Sequence, residues 1–301
     1  MKQQFLIISG SEKCGTTSLF QYLADSGLFS VSKEKETDYF RGDGYLSLEE
    51  YLDNFSSAGT FNNFLEASPG YLSDSHLSAK KITQILTDYH LVFCLRNPLE
   101  RLVSSFTFHQ SRLYIPKNMS FEEYFDECIK YEKKLLYDTR LSEWCLRVPN
   151  CGKYFLHLQD FLEHIPEDKI SVYSFDDFKK QPMSVVKNLL LKLNLDSSFY
   201  DNYDFKKSNV TFKHKNDFLQ RIALKVNKVM EKFWIKNPSI KSSLLQIYKK
   251  INSTQSEKLT LSSSLRSRIL EYYRQDMEGL SSSGLISDEI IAGWVDKIEQ
   301  G

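Results

Sequence analysis

A single lysine sits inside a glycine-bounded loop in FLIISGSEKCGTTSL, Phe5–Leu19, between a short apolar run and a Thr-Thr-Ser helix start. Backbone N–H groups at such a turn, backed by the positive end of a helix dipole, form an anion site that suits phosphate. A second cluster is LVFCLRNPLERLVSSF, residues 91–106, in which an apolar run ends in Arg96. A guanidinium fork at a strand end gives bidentate, charge-assisted bonds to phosphate, and Ser104, eight residues on, can add a hydroxyl. Arg101 has two readings: a second phosphate ligand, or a structural ion pair with Glu100 or Glu123.

The frame Gly10-x4-Gly15 matches the glycines of an ATP-binding loop, but the lysine is displaced. The nucleotide pattern puts lysine directly after the second glycine, where this chain has Thr16. An NTPase also wants an acid at the end of the later strand to hold magnesium, and here it is Arg96. Both differences point to a metal-free reader of another phosphate-bearing donor.

These residues need a scaffold that brings strand ends together. Phe5–Ile8 reads as a buried strand, residues from about Thr16 to Asp25 as a helix, and Phe29–Ser32 as a second strand. SLEEYLDNF, Ser47–Phe55, opens with a Ser-x-x-Glu capping box and predicts a helix. Ser78–Thr87 predicts another helix, His90–Leu95 a strand, and Pro98 starts a helix reaching about His109. Ile170–Tyr173 follows as a strand and Met183–Leu193 as a helix. The alternation predicts an α/β fold: a P-loop-type three-layer α/β/α arrangement with a central parallel sheet and a helical C-terminal part. Lys13 and Arg96, each following an apolar strand, belong on the carboxyl rim where such sheets bind ligands.

The 301 residues carry 39 basic and 39 acidic side chains, so the overall balance names no partner. From Lys206 to Lys258, however, thirteen Lys/Arg face three acids, a net of +10. That segment is either a solvated lysine-rich helical face or a surface that meets an anion: cofactor, acidic substrate or membrane. The chain reads as one domain, 1–301, with 206–258 a basic helical appendage within it. Five cysteines without metal-ligand spacing, and an apolar setting for Cys94, fit neither a disulfide framework nor a metal site. The apolar runs stay well short of the roughly 20 residues of a membrane span, and the chain opens on a strand rather than a signal peptide. The expectation is a cytoplasmic protein with no transmembrane segment and no nucleic-acid partner.

Together the two phosphate clusters resemble the sulfotransferases that use 3′-phosphoadenosine 5′-phosphosulfate (PAPS). The resemblance implies that Lys13, Cys14, Gly15, Thr16, Thr17 and Ser18 hold the 5′-phosphosulfate, and that Arg96 and Ser104 hold the 3′-phosphate. Lys13 would stabilise the leaving phosphate, and 3′,5′-adenosine bisphosphate (PAP) would be the product. The run Lys35-Glu36-Thr37-Asp38-Tyr39-Phe40 is similar to the K-E-x-x-F/Y-F element of glycan-type members, which makes Glu36 the general base. Glu34 takes that place if the register is two residues off; a charged surface loop is the plain alternative. Glu66-Ala67-Ser68-Pro69-Gly70-Tyr71-Leu72 resembles a segment lining the acceptor cleft, so Glu66, Ser68 and Tyr71 become substrate-binding candidates; a proline turn with a packed tyrosine is the other reading. Gly152-x-Tyr154 through Asp177 and YYRQDMEGL, 272–280, extend the likeness nearly end to end.

Two departures stand out. Some glycan members carry a catalytic histidine four residues after the phosphate-binding serine, where this chain has Phe108; His109, one place on, is the catalytic candidate or an ordinary helix histidine. Ser208–Lys215, where relatives lay a loop over the nucleotide, has no glycine-rich lid, though Lys213 and Lys215 are placed to substitute. The implied acceptor is a hydroxyl of a carbohydrate or of a small molecule, with amine sulfation as a further alternative. The rival readings are a P-loop kinase or ATPase and a non-catalytic nucleotide- or membrane-binding module.

Overall fold

The apolar run at the start of the chain forms β1 (Gln4–Gly10), buried from Phe5 onward. Such a strand needs partners on both edges and cover on both faces. The structure, a computed structural model, describes residues 3–42, 47–55, 62–135, 138–206, 213–230, 233–234, 237–254 and 259–300. After β1 come α1 (Thr16–Asp25), β2 (Ser30–Val31), α2 (Leu48–Leu52), β3 (Asn63–Ala67), α3 (Ser75–Ile85) and β4 (Tyr89–Leu95). Then follow α4 (Pro98–Ser111), α5 (Phe121–Glu132), α6 (Glu143–Leu146), α7 (Tyr154–His164), β5 (Ile170–Ser174), α8 (Phe175–Lys180) and α9 (Pro182–Lys192). The chain continues through β6 (Lys213–His214), α10 (Asp217–Val229), α11 (Pro238–Asn252), β7 (Ser253–Thr254), α12 (Ser263–Ser282) and α13 (Asp288–Gln300).

The chain divides into two compact units. The first comprises Met1–Arg101, Asn150–Asn209 and Ser263–Gly301, and contains a five-stranded sheet in the order β2-β3-β1-β4-β5. Every pairing in it is parallel. Leu6 and Ile8 point to one face with Leu65, Val92 and Cys94, and are covered by Leu19 and Leu23 of α1 and Leu189 of α9. On the other face Phe5 stacks on Phe64 at 4.8 Å, and Phe93 meets Phe161 of α7 edge-on at 4.9 Å. Alternation along each strand thus builds the expected three layers.

Local signals hold at the element ends. Ser47 and Glu50 form the capping box at α2, and α1 spans the expected residues. α3 begins at Ser75, three residues before the expected Ser78, because a 3-10 turn over Pro69–Asp74 runs directly into it. The C-terminal helices close the unit. Asp276 of α12 accepts the backbone N–H groups of Phe155 (3.2 Å) and Leu156 (2.9 Å), satisfying free donors at the start of α7. Beside it Gly279 lies so close to α7 that an added Cβ would stand 2.2 Å from the Phe155 ring. Asn97 caps α4 by accepting from Glu100 N (3.1 Å), and its amide donates to the Trp294 carbonyl of α13 at 2.9 Å.

The second unit comprises Leu102–Pro149 and Val210–Ser262. Here Gln220 of α10 donates to the Ser111 carbonyl of α4 at 2.6 Å. Within this unit α5 carries its own capping box, Ser120 with Glu123, and Tyr124 OH donates to the Cys145 carbonyl of α6 at 2.7 Å.

One buried group ties the first unit's stability to pH. His90, 5% exposed on β4, shares a 2.8 Å hydrogen bond with the Ser171 hydroxyl. Burial, aided by the Lys192 charge, lowers its pKa from 6.5 to about 4. An unfolded chain takes up this proton at higher pH than the folded one, so the stability from neutral His90 is lost as pH falls through that window. The loss should approach about 3 kcal/mol at the acid end. Urea unfolding of wild type and His90→Gln between about pH 7 and pH 4 should show a flatter acid limb for the variant; parallel limbs would exclude His90 as the cause.

Candidate active site

The loop after β1 is shaped by backbone conformations that few residues accept. Gly15, at the amino end of α1, has φ of 85°, and a Cβ there would lie 2.9 Å from the Phe175 ring. Both facts require glycine. Lys13 adopts φ of 65° with a full side chain, a left-handed conformation that costs about 1 kcal/mol or more. α1 begins with no side-chain cap among the described residues and with no acid in its first turn. Its amino end, with Thr16 buried and Thr17 and Ser18 half-buried, is an electropositive cradle open to an anion. The Cys14 side chain does not face a ligand. It is fully buried, its thiol donates to the Glu12 carbonyl at 3.4 Å, and burial pushes its pKa up to about 11. Cys14 offers the loop its backbone only.

Arg96 follows β4, the strand next to β1, and lies against this loop. Its Nη1 donates to the Lys13 carbonyl (3.4 Å), its guanidinium stands 4.9 Å from the Phe175 ring centroid, and its Nε bonds Glu100 at 3.1 Å. Tyr154 fixes the backbone there by donating to the Arg96 carbonyl at 2.7 Å. Arg101 is 1% exposed, so it is not presented to a ligand. Of the two acids expected beside it, Glu100 pairs with Arg96 and Glu123 caps Ser120. Burial opposes the Arg101 charge, yet Tyr154, Tyr273 and Cys151 around it outweigh that effect and its pKa stays raised. Ser104 is half-buried on α4, in the portion assigned to the second unit. His109, in that unit too, is 4% exposed and packed edge-on to Trp144 at 4.9 Å, a setting that explains its burial without catalysis. Residues 208–212 of the expected lid lie outside the described residues, and Lys215 is exposed before α10.

Glu36 lies in the loop after β2, half-exposed and ion-paired with Lys35. The loop is fastened to β3 by a buried carboxylate. Glu66, 1% exposed, accepts from Thr37 Oγ1 (2.5 Å), Ser68 Oγ (2.6 Å), Tyr71 OH (2.6 Å) and Tyr51 OH. Ser68 Oγ also accepts from Asp38 N at 3.0 Å, and Tyr71 OH from Phe40 N at 3.3 Å. Ser68 and Tyr71 show no exposed surface. Glu66, Ser68 and Tyr71, expected to line an acceptor cleft, are turned inward and hydrogen-bonded to one another and to Thr37, Asp38 and Phe40 of the Glu36 loop. Burial raises the Glu66 pKa despite the four hydroxyl donors.

The residue that spacing did not single out is Glu12. It touches solvent, yet enough protein surrounds its carboxyl that desolvation raises the pKa; Arg101 opposes that rise and Glu36 adds to it. The Glu36 charge thus acts at Glu12 within the phosphate loop. A carboxylate inside an anion-binding loop is itself the signal that could have found it.

The model of the family described as "Sulfotransferase domain" matches residues 3–281. Relatives include the bifunctional heparan sulfate N-deacetylase/N-sulfotransferase 1 of Caenorhabditis briggsae, 28% identical over 63% of this chain and 22% of that protein. The corresponding Drosophila melanogaster protein is 26% identical over 76% of this chain and 23% of its own length. The chain thus spans under a quarter of these curated relatives. Among solved structures, a sulfotransferase from Alicyclobacillus acidocaldarius superimposes with a TM-score of 0.64 at 16% identity, covering 97% of this chain and 99% of that one. A lysine-bearing phosphate loop, an arginine at the end of the adjoining strand and a family match across nearly the whole sequence lead to one conclusion: the chain belongs to the sulfotransferase family, enzymes that use PAPS.

Proposed function

We propose that this chain transfers the sulfuryl group of PAPS to a hydroxyl of a carbohydrate or small-molecule acceptor. The observation that carries the reading is the contact of Arg96 with the Lys13 loop: its guanidinium bonds the backbone of the loop that leads into one uncapped helix start. A donor with phosphate at both its 3′ and 5′ positions uses both features. In this reading the loop amides, Thr16, Thr17 and Ser18 hold the phosphosulfate, while Arg96 and Ser104 hold the 3′-phosphate. The acceptor oxygen attacks sulfur in line, the bond from sulfur to the bridging oxygen breaks, and the Glu36 carboxylate takes the acceptor proton. Lys13 neutralises the charge gathering on the leaving phosphate, so PAP departs. The Glu66 hydroxyl cluster holds Glu36 in reach, and no step is assigned to His109. A second reading, transfer to an amine, is favoured by the N-sulfotransferase names of the curated relatives.

Calorimetric titration with PAP, AMP and Mg-ATP tests the donor site. PAP should bind far more tightly than AMP, and Arg96→Ala should remove about 2–4 kcal/mol of that preference. Tighter binding of Mg-ATP would overturn the assignment of Arg96 to a 3′-phosphate. Glu36→Gln should cut turnover by about 10²–10⁴ while leaving PAP affinity unchanged; a fully active variant would remove Glu36 from the mechanism.

Glu66→Gln should lower kcat with PAP affinity intact, because the loop and not the donor site is loosened. Its stability should also respond to pH in a set direction. A buried carboxyl with a raised pKa is destabilising once pH passes 4.5 and its ionised form must be kept in the interior. The thermal midpoint of the variant, relative to wild type, should therefore climb as pH rises from about 4 to about 8. A constant difference would mean that Glu66 does not titrate in this range.

A further inference from the structure

Helices α10 and α11 of the second unit carry large apolar side chains on their solvent faces. They pair side by side: Asn216 N donates to Asn252 Oδ1 (2.8 Å), and Tyr248 OH hydrogen-bonds Gln220. Position 216 lies opposite 252 and 220 opposite 248, so the two helices run antiparallel. Their inward sides carry Gln220, 7% exposed, and Asn252, 1% exposed. Outward, Phe218, Ile222 and Val226 recur at i, i+4 and i+8, with Phe218 70% exposed. On α11, Leu244, Ile247 and Ile251 repeat the pattern at i, i+3 and i+7, with Ile251 63% exposed. A helix facing only water puts its apolar stripe inward. These two put large apolar side chains outward and Gln220 and Asn252 inward.

Basic side chains border that surface. Arg221 and Lys225 are exposed one turn apart on α10, and Lys250 is exposed on α11. They belong to the segment with net charge +10. We propose that this face docks on an anionic lipid bilayer, with the apolar stripes entering the headgroup–acyl boundary and the flanking cations meeting lipid phosphates. The charge selects this occupant. A second copy would bring one strongly positive face against another. A nucleic acid would satisfy the cations and leave Phe218 and Ile251 in water. An anionic membrane surface uses both features, as amphipathic helices rich in Lys and Arg do. No helix among the described residues is long and apolar enough to cross the membrane, so the binding is peripheral.

Flotation of the full chain with vesicles tests this, using phosphatidylcholine alone and phosphatidylcholine mixed with phosphatidylserine. The protein should float with the mixed vesicles at low salt, less at high salt, and little with phosphatidylcholine alone. Phe218→Ser/Ile222→Ser/Ile251→Ser should abolish flotation while keeping wild-type PAP affinity, which shows the variant folded. Arg221→Glu/Lys225→Glu should lower partitioning by about thirtyfold or more. Absence of flotation with phosphatidylserine vesicles would overturn the proposal, as would undiminished flotation of the serine variant. Sedimentation equilibrium supplies the remaining check: a wild-type dimer that the serine substitutions dissociate would assign the face to self-association and overturn the membrane reading.

Discussion

Three neighbouring strands, β3, β1 and β4, run in the same direction, and the site depends on that shared polarity. In register, Ile7 stands beside Glu66 on one side and beside Leu91 on the other. The carboxyl ends of all three strands therefore open on one rim of the sheet. The Lys13 loop leaves from the middle strand, Arg96 from one neighbour, and the other neighbour supplies the carboxylate that fastens the Glu36 loop. Antiparallel pairing of either neighbour would send its residues to the opposite rim. Because the crossover helices cover both faces, the strands can be largely apolar, and the candidate site gathers at their ends.

Two buried polar side chains anchor the rim. Glu66 is held in the interior by the hydroxyls of Thr37, Ser68, Tyr71 and Tyr51, a neutral donor set that fixes the direction of its carboxyl. Arg101 is buried, with Tyr154, Tyr273 and Cys151 acting on its charge, and its charge acts in turn on Cys14 and Glu12 of the phosphate loop. A buried polar group is expensive to move, so each acts as a fixed point from which neighbouring backbone is positioned.

What the sequence disclosed was largely local. The phosphate loop, the arginine ending β4 and the Ser47 capping box each depend on residues within a few positions, and each is found where its pattern puts it. Glu66, Ser68 and Tyr71 were harder, because their spacing suits a cleft wall and a packed turn equally. The choice is made by Thr37, 29 residues from Glu66 in the chain, which turns the carboxylate inward. The setting of His109 is decided by Trp144, across a helix–helix contact no spacing reports. The partition into two units was hidden for a related reason: each unit is assembled from separated stretches of chain. Helical pattern revealed that α10 and α11 exist and are basic, while which side faces out came only with Gln220 and Asn252 packed within.

The cap that Asp276 places on α7 has a consequence for the order in which the molecule is made. Residues 120 and 121 positions apart must meet to complete it, and Asn97 waits for Trp294 across 197. The second unit's two stretches are synthesised before α12 and α13 leave the ribosome. A nascent chain can therefore pair β1 with β3 and β4 early, yet the start of α7 stays unsealed until nearly all of the sequence has been translated. The sheet is an early product of synthesis, and the finished first unit is a late one.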